Sequence, residues 1–299
     1  MNGCSIIICT QSRSGLLKTC INSFIAQNHF FENIEYIVVD NQSNDDTKEV
    51  TLSFQNNLKN LHYVFEEKIG LSHARNKGVE SSKYNWVCFM DDDGLAHTDF
   101  NEVMMEIIKN NMFDGFGGMF YPWYRTQKPK WLSPVFGQMP MLRTEIGPLP
   151  NNQHVAGGIC AFKKQHLLKA GGFPPNIGMR GNVVGYGEEN HLQDKMRANG
   201  DSIGFVPNWK MDHLVAEYKY TLIWQLKRFV GKGRDKQLSS GKNIPFIRKI
   251  FLSFRAIAVL FFYSIKLLPK FLFNKNYYFQ NYILDILNYP SMLYGKITV

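Results

Sequence analysis

The chain has 299 residues, 44% of them hydrophobic and 20% charged. This balance describes a globular protein with one large domain and an appendage, and it excludes a disordered chain. The net charge of +9 is uneven: residues 219–299 hold 14 Lys and Arg against 2 Asp and Glu, a net of +12, which leaves −3 for residues 1–218. A basic, aromatic tail on a mildly acidic body points to an anionic partner surface, either lipid or nucleic acid.

Residues 4–9 (Cys4-Ser-Ile-Ile-Ile-Cys9) read as a buried strand. Ser12 or Ser14 can cap a helix in which Leu17, Cys20, Ile21 and Phe24 recur at helical spacing. A second strand, residues 34–39, ends at Asp40, and the polar stretch 41–46 is a loop before a short helix from Thr47. Residues 62–65 form a third strand and 71–81 a helix after Gly70. The fourth strand, Trp86-Val-Cys-Phe-Met90, runs into Asp91, Asp92 and Asp93. Near-continuous apolar strands alternating with helices predict an α/β fold with a mostly parallel sheet covered on both faces. Right-handed crossovers put the strand C-termini on one edge, so Asp40 and the Asp triplet are expected to face one crevice.

A helix follows at residues 98–110, then a Gly-rich strand at 115–120. Residues 121–150 hold six of the twelve Pro and read as a long, partly ordered loop. A strand at 155–162 and a short helix to Ala170 precede the breaks at Gly171-Gly172 and Pro174-Pro175. Gly185-Tyr-Gly187 precedes Glu188 and Glu189, residues 190–199 read as a helix, and residues 203–206 are the last expected strand, with Met211-Asp-His213 after it. The five cysteines show no CxxC spacing and read as reduced core residues of a cytosolic protein. The first strand begins within five residues of Met1, which leaves no room for a signal peptide ahead of it.

In the tail, Arg248, Arg255, Lys266 and Lys270 fall within about 60° on a 3.6-residue wheel, among Ile, Leu, Phe and Val. The uninterrupted apolar run 256–265 is shorter than the ~20 residues that span a bilayer. A basic stripe on an apolar helix fits peripheral membrane contact, with the cations reaching for headgroups; the alternative is a helix packed on its own domain. Cations confined to one stripe argue against nucleic acid.

Clustered carboxylates at a strand end repel one another unless a cation joins them. Asp91–Asp93 therefore read either as ligands of a divalent metal that prefers oxygen, Mg²⁺ or Mn²⁺, or as a solvated acidic turn. There is no GxGxxG after the first strand, and no GxxxxGK[ST], HExxH or GxSxG anywhere.

What does occur is an ordered series. It runs Ser5-Ile-Ile-Ile-Cys-Thr-Gln-Ser-Arg13, Ile37-Val-Val-Asp-Asn-Gln-Ser-Asn-Asp-Asp46, Gly70-Leu-Ser-His-Ala-Arg-Asn-Lys-Gly78, Phe89-Met-Asp-Asp-Asp93 and Gly187-Glu-Glu189. Across residues 4–235 this series resembles the family 2 glycosyltransferases, inverting enzymes of the GT-A fold.

The resemblance implies a GT-A domain at residues 1–218, with 219–299 as a basic, aromatic helical extension. It implies a nucleotide diphosphate sugar as donor, a UDP-sugar first, a saccharide or glycolipid as acceptor, and Mn²⁺ or Mg²⁺ as cofactor. Asp40 would accept a hydrogen bond from the nucleotide base, with Thr10 and Arg13 beside the nucleoside. Arg75 would pair with diphosphate or hold the Asp cluster. Asp93 and Asp91 match the DxD pair, Asp93 on the metal and Asp92 or Asp91 on ribose or sugar. Glu188 and Glu189 match the acidic pair on the acceptor side, with Glu189 the expected base and Glu188 the alternative. His213, in Lys210-Met-Asp-His-Leu214, sits where many such enzymes place a metal-bound histidine.

The expected activity is sugar transfer in bacterial cell-surface polysaccharide synthesis, at the inner face of the plasma membrane, with no nucleic acid involved. The competing reading is a non-catalytic sugar-nucleotide-binding or scaffold subunit. The intact acidic set argues against it.

Overall fold

The computed structural model describes residues 3–181 and 183–299. The chain forms two compact units. The first takes the chain up to Trp123, with Gly137–Pro175 and Glu188–Leu214; the second takes Tyr124–Phe136, Asn176–Gly187 and Val215–Val299.

In the first unit the strands and helices alternate as expected. They run β1 (Cys4–Thr10), α1 (Ser14–Ile25), β2 (Ile34–Asp40), α2 (Thr47–Ser53), β3 (Leu61–Phe65), α3 (Leu71–Ser81) and β4 (Trp86–Asp91). These four strands pair in parallel. β5 (Gly94–Ala96), α4 (Phe100–Asn110), β6 (Gly115–Trp123), β7 (Gly147–Pro148), β8 (Ile159–Lys163), α5 (Lys164–Lys169), α6 (Glu188–Ala198) and β9 (Ile203–Leu214) follow. All join one sheet in the order β3-β2-β1-β4-β8-β6-β9-β5, with β7 on β9.

β8 lies antiparallel between β4 and β6, and β5 pairs antiparallel with β9. The sheet is thus mixed, with a parallel half built by the first four strands. Alternation along β1 explains the two-faced core. Ile6 and Ile8 belong to one buried core with Leu17 and Phe24 of α1 and Phe100 and Met104 of α4, while Ile7 belongs to the other, with Val79 of α3, Leu167 of α5 and Leu192 of α6.

The proline-rich stretch is more ordered than its composition predicts, because β6 continues to Trp123 and β7 pairs with β9. β9 extends well past the apolar run 203–206. A register shift between Gly117 and Met119 lets it keep pairing with β6 as far as Leu214. All five cysteines are free, four of them buried.

In the second unit a 3-10 turn, Glu217–Tyr220, leads to α7 (Leu222–Ser239), α8 (Phe246–Phe273) and α9 (Phe279–Ile297). Thr221 caps α7 by accepting from the Trp224 amide. Glycine sets the α7–α9 contact. A Cβ on Gly233 would meet the Met292 carbonyl, and one on Gly295 the Val230 carbonyl, both at about 2 Å. α8 is the one helix among the described residues long and apolar enough to cross a membrane by length and composition. The helix runs through Arg255 and Lys266, beyond the uninterrupted apolar run.

Candidate active site

The parallel register sets the site. Thr10 pairs with Asp40 and Cys9 with Asp91, so three strands end at one edge with their polar residues side by side. Asp40 and Asp91 therefore stand at the same edge of the sheet. The rest follows from what surrounds each carboxylate.

Asp92 is buried and faces inward. Its Oδ2 accepts from the Thr10 hydroxyl at 2.7 Å, and Arg13 Nη2 lies 3.0 Å from its Oδ1. Burial pushes this carboxyl up to about 7, with Arg13 opposing and Asp93 adding to the rise. Arg13, at the head of α1, also donates to Asp93 Oδ2 at 3.2 Å. Thr10 and Arg13 therefore hold Asp92 and Asp93.

Asp91 and Asp93 turn the other way, toward His213. His213 Nε2 is 3.5 Å from Asp91 Oδ2 and 3.3 Å from Asp93 Oδ1. Residues 94–96 form the strand that achieves this, because Gly94 pairs directly with His213. The ligand atoms of Asp91, Asp93 and His213 lie within 4.8 Å of one another. Two hard carboxylates and one borderline imidazole make a mixed oxygen and nitrogen donor set that can hold Mn²⁺ or Mg²⁺. Burial opposes ionisation of Asp91. The His213 hydrogen bond and the charges of His213, Arg75 and Arg13 outweigh burial and hold the carboxyl well below the usual range.

Arg75 projects from α3 into the interior, and it is not a surface helix residue. Its Nη1 donates to Glu188 Oε1 at 2.8 Å and its Nη2 to the Gly157 carbonyl at 3.1 Å, with Asp91 Oδ1 3.7 Å away. The guanidinium also lies 5.1 Å from the centre of the Phe173 ring. Gly157 and Gly158 make room for these groups. A Cβ on Gly158 would stand 2.2 Å from Asp91 Oδ2, and one on Gly157 2.9 Å from Arg75 Nη2.

Glu188 and Glu189 open α6 after Gly187, whose φ of 95° suits glycine. Glu188 is buried against Arg75 and Glu189 is half-buried. Burial and the Glu188 charge push the Glu189 carboxyl up to about 8, against Arg75.

Asp40 lies at the same edge but has its own partners. Its Oδ1 accepts from the Ser43 amide at 2.8 Å and its Oδ2 from the Tyr63 hydroxyl at 2.7 Å. Tyr63, from β3, was not singled out by any sequence motif. Another unforeseen group, Asp114, His166 and Asp201, lies at the opposite edge, where β6 and β9 begin. Lys163 Nζ sits 2.9 Å from Asp114, and the Ser202 amide and hydroxyl fill its other oxygen. These partners make an ion-pair network that ties the two strand starts together.

The model of glycosyl transferase family 2 matches residues 5–170. The chain belongs to that family. Membership makes it a transferase. It is 23% identical over 241 residues to the glucosyl-dolichyl phosphate glucuronosyltransferase of Haloferax volcanii, covering 78% of this chain and 76% of that one. Among solved structures, S. aureus TarS 1–349 in complex with UDP shares the fold at a TM-score of 0.59 and 15% identity, over 97% of this chain and 90% of that one. The mannosyltransferase PcManGT of Pyrobaculum calidifontis, solved with GDP-Man and Mn²⁺, does so at a TM-score of 0.57 and 16% identity, over 81% of this chain and 65% of that one. The family 2 architecture and a candidate metal-holding triad thus occur together in this chain.

Proposed function

We propose that this family 2 chain is an inverting, metal-dependent glycosyltransferase. It moves a sugar from a nucleotide diphosphate, UDP first, to a saccharide or lipid-linked acceptor in cell-surface polysaccharide synthesis. The observation that carries the reading is the convergence of Asp91, Asp93 and His213 within 4.8 Å. It lies at the strand edge where open α/β sheets bind ligands. The fold shared with a UDP complex and with a GDP-Man and Mn²⁺ complex supports the donor class.

In this reading Asp91, Asp93 and His213 hold Mn²⁺ or Mg²⁺, which when bound neutralises charge developing on the departing diphosphate. Asp40 recognises the nucleotide base, beside Thr10 and Arg13, and half-buried Asp91 lies next to ribose, since Asp92 faces inward onto Thr10 and Arg13. Glu189 is the base: it takes the acceptor hydroxyl proton as that oxygen bonds the anomeric carbon and the bond to diphosphate breaks on the opposite face. Glu188 is committed to Arg75, which leaves Glu189 as the carboxylate available to the acceptor. A carboxyl raised toward neutral pH suits that task. Arg75 positions Glu188 and Asp91 relative to each other.

Residues 1–218 carry the catalysis in this reading. The extension 219–299 makes peripheral contact at the inner face of the plasma membrane, which brings the enzyme to a lipid-held acceptor.

Titration calorimetry with a panel of nucleotide sugars tests the donor assignment, in Mn²⁺ and then in EDTA. One diphosphate donor is expected to bind only with metal, and Asp93→Ala to abolish that binding. Donor binding unchanged by EDTA and by Asp93→Ala would overturn the metal site.

A further inference from the structure

In the second unit α8 is covered on one side only. α9 runs antiparallel along it: Lys249 Nζ donates to the Val299 carbonyl at 2.8 Å, Arg255 stacks on Tyr289, Tyr282 donates to the Ser264 carbonyl, and Phe271 stacks on Tyr282. The opposite side is uncovered. Ile247, Phe254, Phe261, Ile265 and Leu272 are 59% to 81% exposed. Their spacings of seven, seven, four and seven keep them within about 40° on a helical wheel. In a water-soluble surface such a row of large side chains marks an interaction site.

The charge pattern identifies the partner. α8 has no acidic residue and five cations. Arg248, Arg255, Lys266 and Lys270 flank the apolar row about a third of a turn away, between it and α9. Arg255 and Lys270 lie over Tyr289 and Tyr277, which holds them at that flank. With the apolar row facing down, these cations sit at one height above it, at the level of headgroup phosphates.

We infer that α8 lies in the plane of an anionic lipid bilayer. Its Ile247, Phe254, Phe261, Ile265 and Leu272 face enters the acyl region, and α9 rests on the aqueous side. This deepens the reading of the tail as the membrane-contacting part, and does not depend on the transfer chemistry. A spanning arrangement fits the same helix poorly. Arg255 and Lys266 are eleven residues apart, about 17 Å along a helix, against a hydrocarbon thickness of about 30 Å. One of them at least would lie in hydrocarbon. The α9 residues Asn281, Asp285 and Asn288 would enter it too.

Flotation of the full chain with vesicles tests this, using phosphatidylcholine alone and phosphatidylcholine with phosphatidylglycerol. Binding is expected to the anionic vesicles, weakening as salt is added and released by alkaline carbonate. Phe254→Glu with Phe261→Glu is expected to lose binding by about a hundredfold or more. Each of Arg248, Arg255, Lys266 and Lys270 changed to Gln is expected to cost roughly fivefold. Far-UV circular dichroism checks that the variants keep their helices, and the salt series on the unaltered chain needs no variant.

Three results would overturn the inference. Flotation with neither composition leaves the face to a protein partner. Resistance to carbonate means a spanning helix. Undiminished flotation of the Phe254 and Phe261 variant removes the apolar row from the contact. Donor calorimetry on the same preparation separates failure here from failure of the transfer reading.

Discussion

Arg75 Nη1 lies 2.8 Å from Glu188 Oε1, with both side chains buried. The same guanidinium faces Asp91, so one cation joins the first turn of α6 to the end of β4. Removing one partner of a buried pair leaves the other charge uncompensated. Arg75→Ala is therefore expected to destabilise the fold by about 3 kcal/mol or more, measured by urea denaturation. Arg75→Lys keeps the charge but loses the fork that reaches both Glu188 and the Gly157 carbonyl, and is expected to recover only part of that loss. Equal stability of Arg75→Ala and the unaltered chain would mean the pair is not formed.

Glu189 sets a pH dependence. Its carboxyl is raised to about 8, so its base form grows as pH rises through that value. Transfer under subsaturating acceptor is expected to rise between pH 6 and 8, by about tenfold per pH unit at the acidic end. Glu189→Gln is expected to remove transfer and leave donor binding intact. A raised carboxyl binds its proton more tightly in the folded state than in the unfolded state. Stability therefore falls as pH rises from the ordinary carboxylate range to about 8. Glu189→Gln is expected to melt above the parent at pH 8 and close to it at pH 4. The reverse order would place the charged form in a favourable setting.

Metal addition is expected to raise the melting temperature. A ligand at about a hundred times its dissociation constant adds about 2.7 kcal/mol to the folded state. Scanning calorimetry with Mn²⁺ and with EDTA reads this directly. Asp93→Ala and His213→Ala are expected to lose the increment. Glu189→Gln, whose carboxylate lies outside the triad, is expected to keep it.

Gly158→Ala tests how tightly Asp91 is seated. The added Cβ would stand 2.2 Å from Asp91 Oδ2, so the carboxylate must move away from His213. Metal affinity is expected to fall about tenfold or more while the fold persists. Gly187→Ala makes the contrast. Its Cβ meets nothing within 4 Å, but its φ of 95° strains any other residue, so a stability loss of about 1 kcal/mol is expected with metal affinity unchanged.

Much of this site was legible before the fold was known, because its carboxylates end apolar runs. Val39 and Met90 are buried strand residues, and Asp40 and Asp91 follow them directly. A parallel βαβ arrangement then sends both to one edge. The helix faces were legible for the same local reason: Leu17, Cys20, Ile21 and Phe24 recur at helical spacing and are all buried. The extent of β9 was not legible. Its second half alternates poorly, and it is held as a strand by β6 and β5 on either side. Without that pairing only the family resemblance, and no local pattern in Met211-Asp-His213, marks an imidazole aimed at Asp93.

Local spacing is enough for the alternation of strands and helices, the carboxylates at the strand ends, the acidic pair before the helix at 190–199 and the basic stripe of α8. Each is written in a few consecutive residues. Which of these meet depends on the assembled sheet. Arg75 finds Glu188 across 113 residues, because β8 inserts antiparallel beside β4 and carries Gly157 and Gly158 to its edge. His213 reaches Asp91 and Asp93 past a register shift in the pairing of its strand with β6. Contacts between distant residues are set by sheet order and register, and these minimise the free energy of the whole sheet and leave no mark in any one segment.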